Sequence, residues 1–367
     1  MSEAKERNFL IGIFGENSND HRQLIGQALG APGTKSDILF FNRLNEEAGH
    51  VFCAMTPIDY PDKIKPFLHV LKISNIHLLI IDLEVGLNAA IGEILVGMDL
   101  FHQLFKTECL VIIAGINSKT EWKLKQVESE IEKILNSTSL TGTEIFKLIL
   151  KEDYENLKQK IVELGLKLPE PDLEIAPYSK VLIDHVFPVK GIGTVILGIV
   201  KRGLINTRQM VELIGYEGSG KKVIIRSIQK HDRDFKMAYE GDRVGLALKG
   251  NISSEDISRD NIIVSQGKFK QEKEITAKVY LNQFYKPKEG KIKPGDGIQY
   301  HSFVELKGSP FKFSQGENLI SGKSGVVTLN FEKSLVHDGS GLKGIIADLN
   351  RFENKLRILG YYVQLMD

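Results

Sequence analysis

Only two cysteines, Cys53 and Cys109, occur in 367 residues, and both stand inside apolar runs. A disulfide scaffold is excluded, and thiols so placed fit a reducing compartment. Long apolar runs are lacking too: stretches such as Ile76–Leu83 and Cys109–Ile116 fall well short of the roughly 18 apolar residues that span a bilayer. No tandem repeat or low-complexity tract is present. The charged stretch Met1–Asn8 runs straight into a strand-like segment, with no apolar region and small-residue cleavage site behind it. An excess of one charge is missing as well: 48 Lys and Arg against 47 Asp and Glu leave a net charge of +1, so any polyanion has to be held by a local basic face. These absences predict a cytoplasmic protein with no membrane segment; a monomer is the expected state, although composition does not determine it.

What is present describes a packed chain. With 42% hydrophobic against 26% charged residues, the composition lies far from the disordered corner, and 367 residues predict two or three domains. Short apolar runs alternate with longer periodic segments at first. Asn8–Phe14, Val51–Thr56, His77–Leu83 and Cys109–Ile116 read as strands; His21–Leu29, Ala89–Leu104, Lys119–Leu135 and Glu144–Leu166 read as helices. That alternation predicts an α/β domain with a parallel sheet over residues 1–167. Leu168-Pro169-Glu170-Pro171-Asp172 cannot continue a helix, so 168–180 reads as a linker. Beyond it the strands become short, Val- and Ile-rich and separated by turns: Val181–Phe187, Thr194–Lys201, Met210–Ile214, Lys222–Ile228 and Arg243–Lys249, then Ile275–Leu281, Gly325–Phe331, Lys343–Ala347 and Lys355–Val363. Two small all-β barrels follow, at 181–266 and 267–367, divided near Gly267.

In an α/β domain the first strand-to-helix loop is the usual phosphate cradle. Here it runs from Gly15 to Arg22, and the spacing from Gly15 suits a Gly-x-x-x-x-Gly-Lys-Ser/Thr loop, but Asp20, His21 and Arg22 stand at the glycine, lysine and hydroxyl positions. A carboxylate about 4 Å from a phosphate charge costs on the order of 4 kcal/mol at an effective dielectric near 20, roughly a thousandfold in affinity. Either His21 or Arg22 supplies a compensating charge, or the segment is an ordinary polar loop capping a helix.

The segment Ile183-Asp184-His185-Val186-Phe187-Pro188-Val189-Lys190-Gly191-Ile192-Gly193-Thr194-Val195, followed by Gly198-Ile199-Val200-Lys201-Arg202-Gly203, resembles the second domain of translational GTPases of the elongation factor Tu class. Within that class the chain resembles the archaeal selenocysteine-specific elongation factor. The likeness continues through Tyr239-Glu240-Gly241-Asp242-Arg243-Val244-Gly245 and Ile257-Ser258-Arg259-Asp260, and closes on Gly344–Leu349 and Lys355–Gly360.

The resemblance implies a P-loop-GTPase-like sheet domain followed by two barrels, with the nucleotide motifs eroded. The Asp-x-x-Gly element with its histidine falls on Asp59-Tyr60-Pro61-Asp62-Lys63, which keeps the magnesium-supporting aspartate and loses glycine and histidine. The guanine-reading Asn-Lys-x-Asp element falls on Ala114-Gly115-Ile116-Asn117, where the selecting acid is an amide. Thr34, Ser36 and Asp37 are candidates for the first-switch threonine, and Thr138-Ser139-Leu140 keeps the base-contacting loop. The degenerate nucleotide site is thus Gly15, Asp20, His21, Arg22, Asp59, Asn117 and Ser139, with no catalytic residue expected and GTP and magnesium only if the site is active.

By the same resemblance Asp184, His185, Phe187 and Arg243 stand at the aminoacyl-pocket positions, and the partner is tRNA or a ribosome-associated component. An acid with an arginine there resembles the selenocysteine-specific factor, where positive charge favours an ionised selenol. The alternative for Asp184 and Arg243 is an ion pair that simply joins two strands. The lysines at 268, 270, 273, 286, 288, 291 and 293 are a basic stretch interleaved with acids. The chain shows no further domain after the third with which to read an mRNA element, so full selenocysteine delivery is not expected.

Overall fold

Phe9 to Phe14 are all buried in the first strand, β1 (Arg7–Phe14). A strand buried on both faces needs helices on both sides. The computed structural model describes residues 6–16, 20–33, 36–170, 178–215, 220–351 and 355–366. The chain divides into two compact units, Met1–Pro169 with Arg351–Arg357, and Glu170–Asn350 with Ile358–Asp367.

The first unit holds β1, α1 (His21–Leu29), β2 (Ala31–Pro32), β3 (Ile38–Asn45), β4 (His50–Pro57), α2 (Ile64–Ile73), β5 (Ile76–Asp82), α3 (Ala89–Phe105), β6 (Glu108–Ala114), α4 (Leu124–Asn136), β7 (Glu144–Lys147) and α5 (Asp153–Lys167). The sheet order is β2-β3-β4-β1-β5-β6-β7. Pairing is parallel from β4 through β7 and antiparallel for β2–β3 and β3–β4. The sheet is therefore mixed at one edge rather than parallel throughout. Residues Phe9, Ile11 and Ile13 pack with Ile25 and Leu29 of α1 and Leu157, Ile161 and Leu164 of α5. On the opposite face Phe14 meets Phe67 of α2 edge-on, and His77 meets Phe101 of α3.

One sequence expectation is corrected here. Glu144–Lys147 is a strand rather than the start of a helix, since its backbone completes the ladder beside Leu110–Ile113. The helix begins at Asp153, whose carboxylate accepts from the Ile149 and Leu150 amides at 2.8 and 2.7 Å. Pairing to a neighbouring strand outweighs local helical spacing.

The second unit contains β8 (Lys180–Val189), β9 (Gly193–Arg202), β10 (Leu204–Asn206), β11 (Met210–Ile214), β12 (Lys221–Lys230), β13 (Arg233–Phe235), β14 (Met237–Tyr239), β15 (Arg243–Lys249) and β16 (Ile262–Ser265). It continues with β17 (Lys270–Leu281), β18 (Gln299–Val304), β19 (Lys307–Gly316), β20 (Ser324–His337), β21 (Lys343–Ala347) and β22 (Ile358–Gln364). Strands β11-β16-β8-β9-β15-β12 close on themselves through the β11–β12 pairing, and β17-β20-β19-β18-β21-β22 form a second closed barrel. Gly267 lies in the turn between β16 and β17. Where the barrels meet, Lys180 Nζ lies 2.7 Å from Glu305 and 2.9 Å from Asp338, and Tyr178 donates to Asp338 at 3.0 Å.

Candidate functional site

Gly15 follows β1 with φ at +154°, and a Cβ there would stand 2.9 Å from the Ile80 carbonyl oxygen, so the close approach of β1 and β5 requires glycine. Asp20, the residue before α1, holds a left-handed turn at φ 52°. Aspartate tolerates that region better than most residues. His21 opens the helix with Nε2 3.6 Å from Asp82 Oδ2 at the end of β5. Its Nδ1 is buried with no hydrogen-bond partner among the described residues. Asp82 is itself buried, accepts from the Glu84 amide at 2.9 Å, and leaves room beside it only because residue 115 is glycine: a Cβ would fall 2.4 Å from Oδ1. The hollow bounded by Glu16, His21, Asp82 and Ile91 measures about 10 Å³, the room of about one water molecule.

Arg22 is 5% exposed and turns away from the loop, donating to the Pro57 carbonyl at 2.8 Å. Burial pushes its pKa down to about 10, against the opposing pull of Tyr60 and Asp20. The segment it touches carries Asp59, whose carboxylate receives the Lys63 ammonium at 2.8 Å. Tyr60, buried, donates to the Ala90 carbonyl at 2.9 Å and fixes that segment to α3. The aspartate and the lysine that stands at the histidine position are thus each other's partner. Among the candidates before β3, Ser36 donates to the Ile38 carbonyl at 2.9 Å and the Asp37 carbonyl accepts from Ile58 at 2.9 Å; Thr34 lies outside the described residues.

Asn117 follows β6, and its side-chain oxygen accepts from the Lys119 amide at 2.9 Å, an Asx turn that engages the oxygen at the base-reading position. Ser139 is held by α3: its hydroxyl and its amide both reach Asp99 Oδ1, at 2.6 and 2.8 Å. The fold brings His21 and Asp82 together, and Asp59 and Lys63 together; Asn117 and Ser139 are each engaged with other residues. Asp82 and Asp99 have no motif in the sequence to mark them. Among the described residues no group of three or more His, Cys, Asp or Glu is placed to hold a metal ion.

A different cluster lies on the outer face of the first barrel. A register shift between Ile183 and His185 opposite β9 turns Asp184 out of the regular alternation. Its carboxylate, 2% exposed, is gripped by Arg243 through Nε and a terminal nitrogen, both at 3.1 Å, while His185 Nδ1 lies 2.7 Å from Oδ1. Arg259 donates to the Asp184 backbone carbonyl at 2.8 Å and pins the bulge from a third strand connection. Burial acts to raise the Asp184 pKa, but Arg243 and His185 outweigh it and hold the carboxyl below the usual range. Three residues beyond Asp184 along β8, Phe187 is 38% exposed, opposite Val195. Arg259 escaped the sequence reading, although its segment was recognised.

Residues 193–259 match elongation factor Tu domain 2. The chain is 32% identical over 290 residues to an uncharacterised protein of Methanocaldococcus jannaschii, covering 79% of this chain and 81% of that one. It is 32% identical over 213 residues to the selenocysteine-specific elongation factor of the same archaeon, 57% of this chain and 44% of that factor. The chain carries an elongation factor Tu second domain and is related to the archaeal selenocysteine-specific elongation factor. The translation elongation factor SelB from Methanococcus maripaludis, solved in complex with the GTP analogue GppNHp, shares the fold at a TM-score of 0.81 and 23% identity, over 99% of this chain and 80% of that one. A bacterial selenocysteine-specific elongation factor, EF-Sec, shares it at 0.78 and 17% identity, over 98% of this chain and 58% of that one. Within this elongation factor Tu-like chain, Arg243 and Arg259 fall inside the matched second-domain span, and Asp184 and His185 lie on the strand just before it.

Proposed function

We propose that this elongation factor Tu-like protein receives the aminoacyl end of a tRNA on the outer face of its first barrel and does not hydrolyse GTP. The observation that carries the reading is the partnering of its charged side chains. Asp184, Arg243 and His185 form one linked, partly accessible cluster beside the apolar Phe187. Asp59, by contrast, is neutralised by Lys63, and Arg22 is spent on a backbone carbonyl.

The described residues do not fit a magnesium–triphosphate. Arg22 brings no hydroxyl and donates to a backbone carbonyl, and Asp59 already has a cation. On this reading neither GTP nor magnesium is a working cofactor, and the protein acts as a cytoplasmic monomer. The first barrel is suited to a polar acyl group. Arg243 and His185 offer positive and hydrogen-bonding edges, with Arg243 kept in place by a buried carboxylate, and Phe187 supplies an apolar wall.

Filter binding of charged and uncharged tRNA at graded salt tests the reading. Charged tRNA should be retained in preference, and His185→Ala should narrow the difference; absence of retention at low salt would favour a regulatory or assembly subunit without RNA contact. A second reading, an unconventional translational GTPase, draws on the glycine at 15 and on the left-handed residue 20 at the position of the loop's second glycine. Titration calorimetry with GTP and GDP separates the two: micromolar, magnesium-dependent binding would replace the first reading with the second.

A further inference from the structure

The chain's single tryptophan, Trp122, is 73% exposed. An indole ordinarily buries most of its large apolar surface, and rings left uncovered are typical of binding faces. Trp122 sits in the short 3-10 turn Glu121–Lys123 between β6 and α4. Its ring N–H donates to the Lys119 carbonyl at 2.9 Å, so the ring plane is held without being covered. The Lys123 ammonium stands 5.6 Å from the ring centroid and 3.4 Å from the Leu83 carbonyl. Lys119 and Lys125 are exposed and form no ion pair among the described residues. Glu121 is the only acid between Asn117 and Lys125.

We propose that Trp122 is a stacking platform for an unpaired RNA base, with Lys119 and Lys125 taking the adjoining phosphates. An oriented aromatic face with exposed lysines three residues to either side in the sequence suits a sequence-tolerant single-strand site, since every base has a π face and every nucleotide brings one negative charge. The lysines also decide against a protein partner, because lysine is depleted at the cores of protein interfaces. The turn lies beyond the carboxyl end of β6, the side of an open α/β sheet where ligands are received. Trp122 belongs to the first unit, and its role does not depend on the barrel cluster.

Because Trp122 is the only tryptophan, its emission reports on this site alone. Titration with an oligoadenylate should quench it saturably, and the effect should weaken as salt is raised. In parallel, fluorescence anisotropy of the labelled oligonucleotide should show Trp122→Ala weakening binding by about tenfold, within the range for losing one stacked base. Lys119→Glu and Lys125→Glu should each weaken binding and reduce the salt slope by about 0.7. Since Trp122 packs little, the alanine variant should keep the parent's circular dichroism and melting curve. Unaltered emission when the oligonucleotide is fully bound, equal affinity of Trp122→Ala, no binding of the oligonucleotide at low salt, or equal quenching by a mononucleotide would each overturn the proposal.

Discussion

The guanidinium of Arg243 grips both carboxylate oxygens of Asp184, at 3.1 Å each, across 59 residues of sequence. The acid lies on a bulge of β8 and the arginine at the start of β15, with β9 between them. The carboxylate is almost fully buried, so it depends on its partners for ionisation. Removing Arg243 leaves it with His185 alone beside it, and breaking a buried pair in this way costs about 3 kcal/mol.

Urea unfolding of Arg243→Ala should show that loss at neutral pH. The native Asp184 pKa lies below that of an unfolded aspartate, so its contribution is full above about pH 3.9 and is lost as pH falls through the native value. Wild-type stability should therefore decline in acid, and the decline should flatten in the variant. An unchanged acid profile would show that the pair does not set it.

Lys180 joins the two barrels. It is 9% exposed and bound to Glu305 and Asp338. Burial acts to lower its pKa, but the two carboxylates outweigh it and hold the ammonium above the ordinary lysine range. Its contribution is present below the unfolded lysine value near 10.4 and is lost only as pH rises through the native value. Lys180→Met should destabilise by about 3 kcal/mol in thermal or urea denaturation, because it removes the cation that both acids face.

The two ends of the strand-to-helix loop should differ in their tolerance of substitution. Gly15→Ala puts a Cβ 2.9 Å from a backbone oxygen and should cost at least about 2 kcal/mol. Asp20→Gly removes a left-handed aspartate and should be neutral to within about 0.5 kcal/mol, whereas Asp20→Val should cost about 1 to 2. Melting temperatures of the three variants, measured side by side, check the order.

Ser139→Ala removes a hydroxyl from buried Asp99, which keeps the Ser139 amide and the Gln103 side chain at 3.0 Å as donors. The loss should be about 1 to 2 kcal/mol by chemical denaturation, the cost of one hydrogen bond to a charged group. Asp99→Ala should cost more, since it leaves the Ser139 amide without its acceptor and the hydroxyl with only the backbone carbonyl of residue 99.

Much of this architecture was legible along the chain. The limits of α1, β11, β15 and β21 coincide with their expected ranges, because turn residues and apolar periodicity both mark them. The missed elements have weaker local signals. Strands β18 and β19 carry His301, Ser302, Ser309 and Pro310, and β3 ends in Asn42-Arg43-Leu44-Asn45; each is a strand because its neighbour supplies a ladder. Helix α2 was hidden by its proline and by the preceding motif, although Pro66 sits in the first turn, where it costs no hydrogen bond.

The candidate sites divide along the same line. Which side chains replaced the phosphate-loop and base-reading residues is a property of the sequence, since motif positions are counted along the chain. What those side chains do was decided by tertiary contacts. Arg22 and Pro57, Ser139 and Asp99, and Asp184 and Arg243 are each brought together by strand order and register. Periodicity fixes which face a residue occupies, but the charge opposite it is chosen by whichever distant strand or helix folds alongside. That is why the erosion of one site could be read from the letters, while the partners that neutralise its remnants could be seen only in the folded chain.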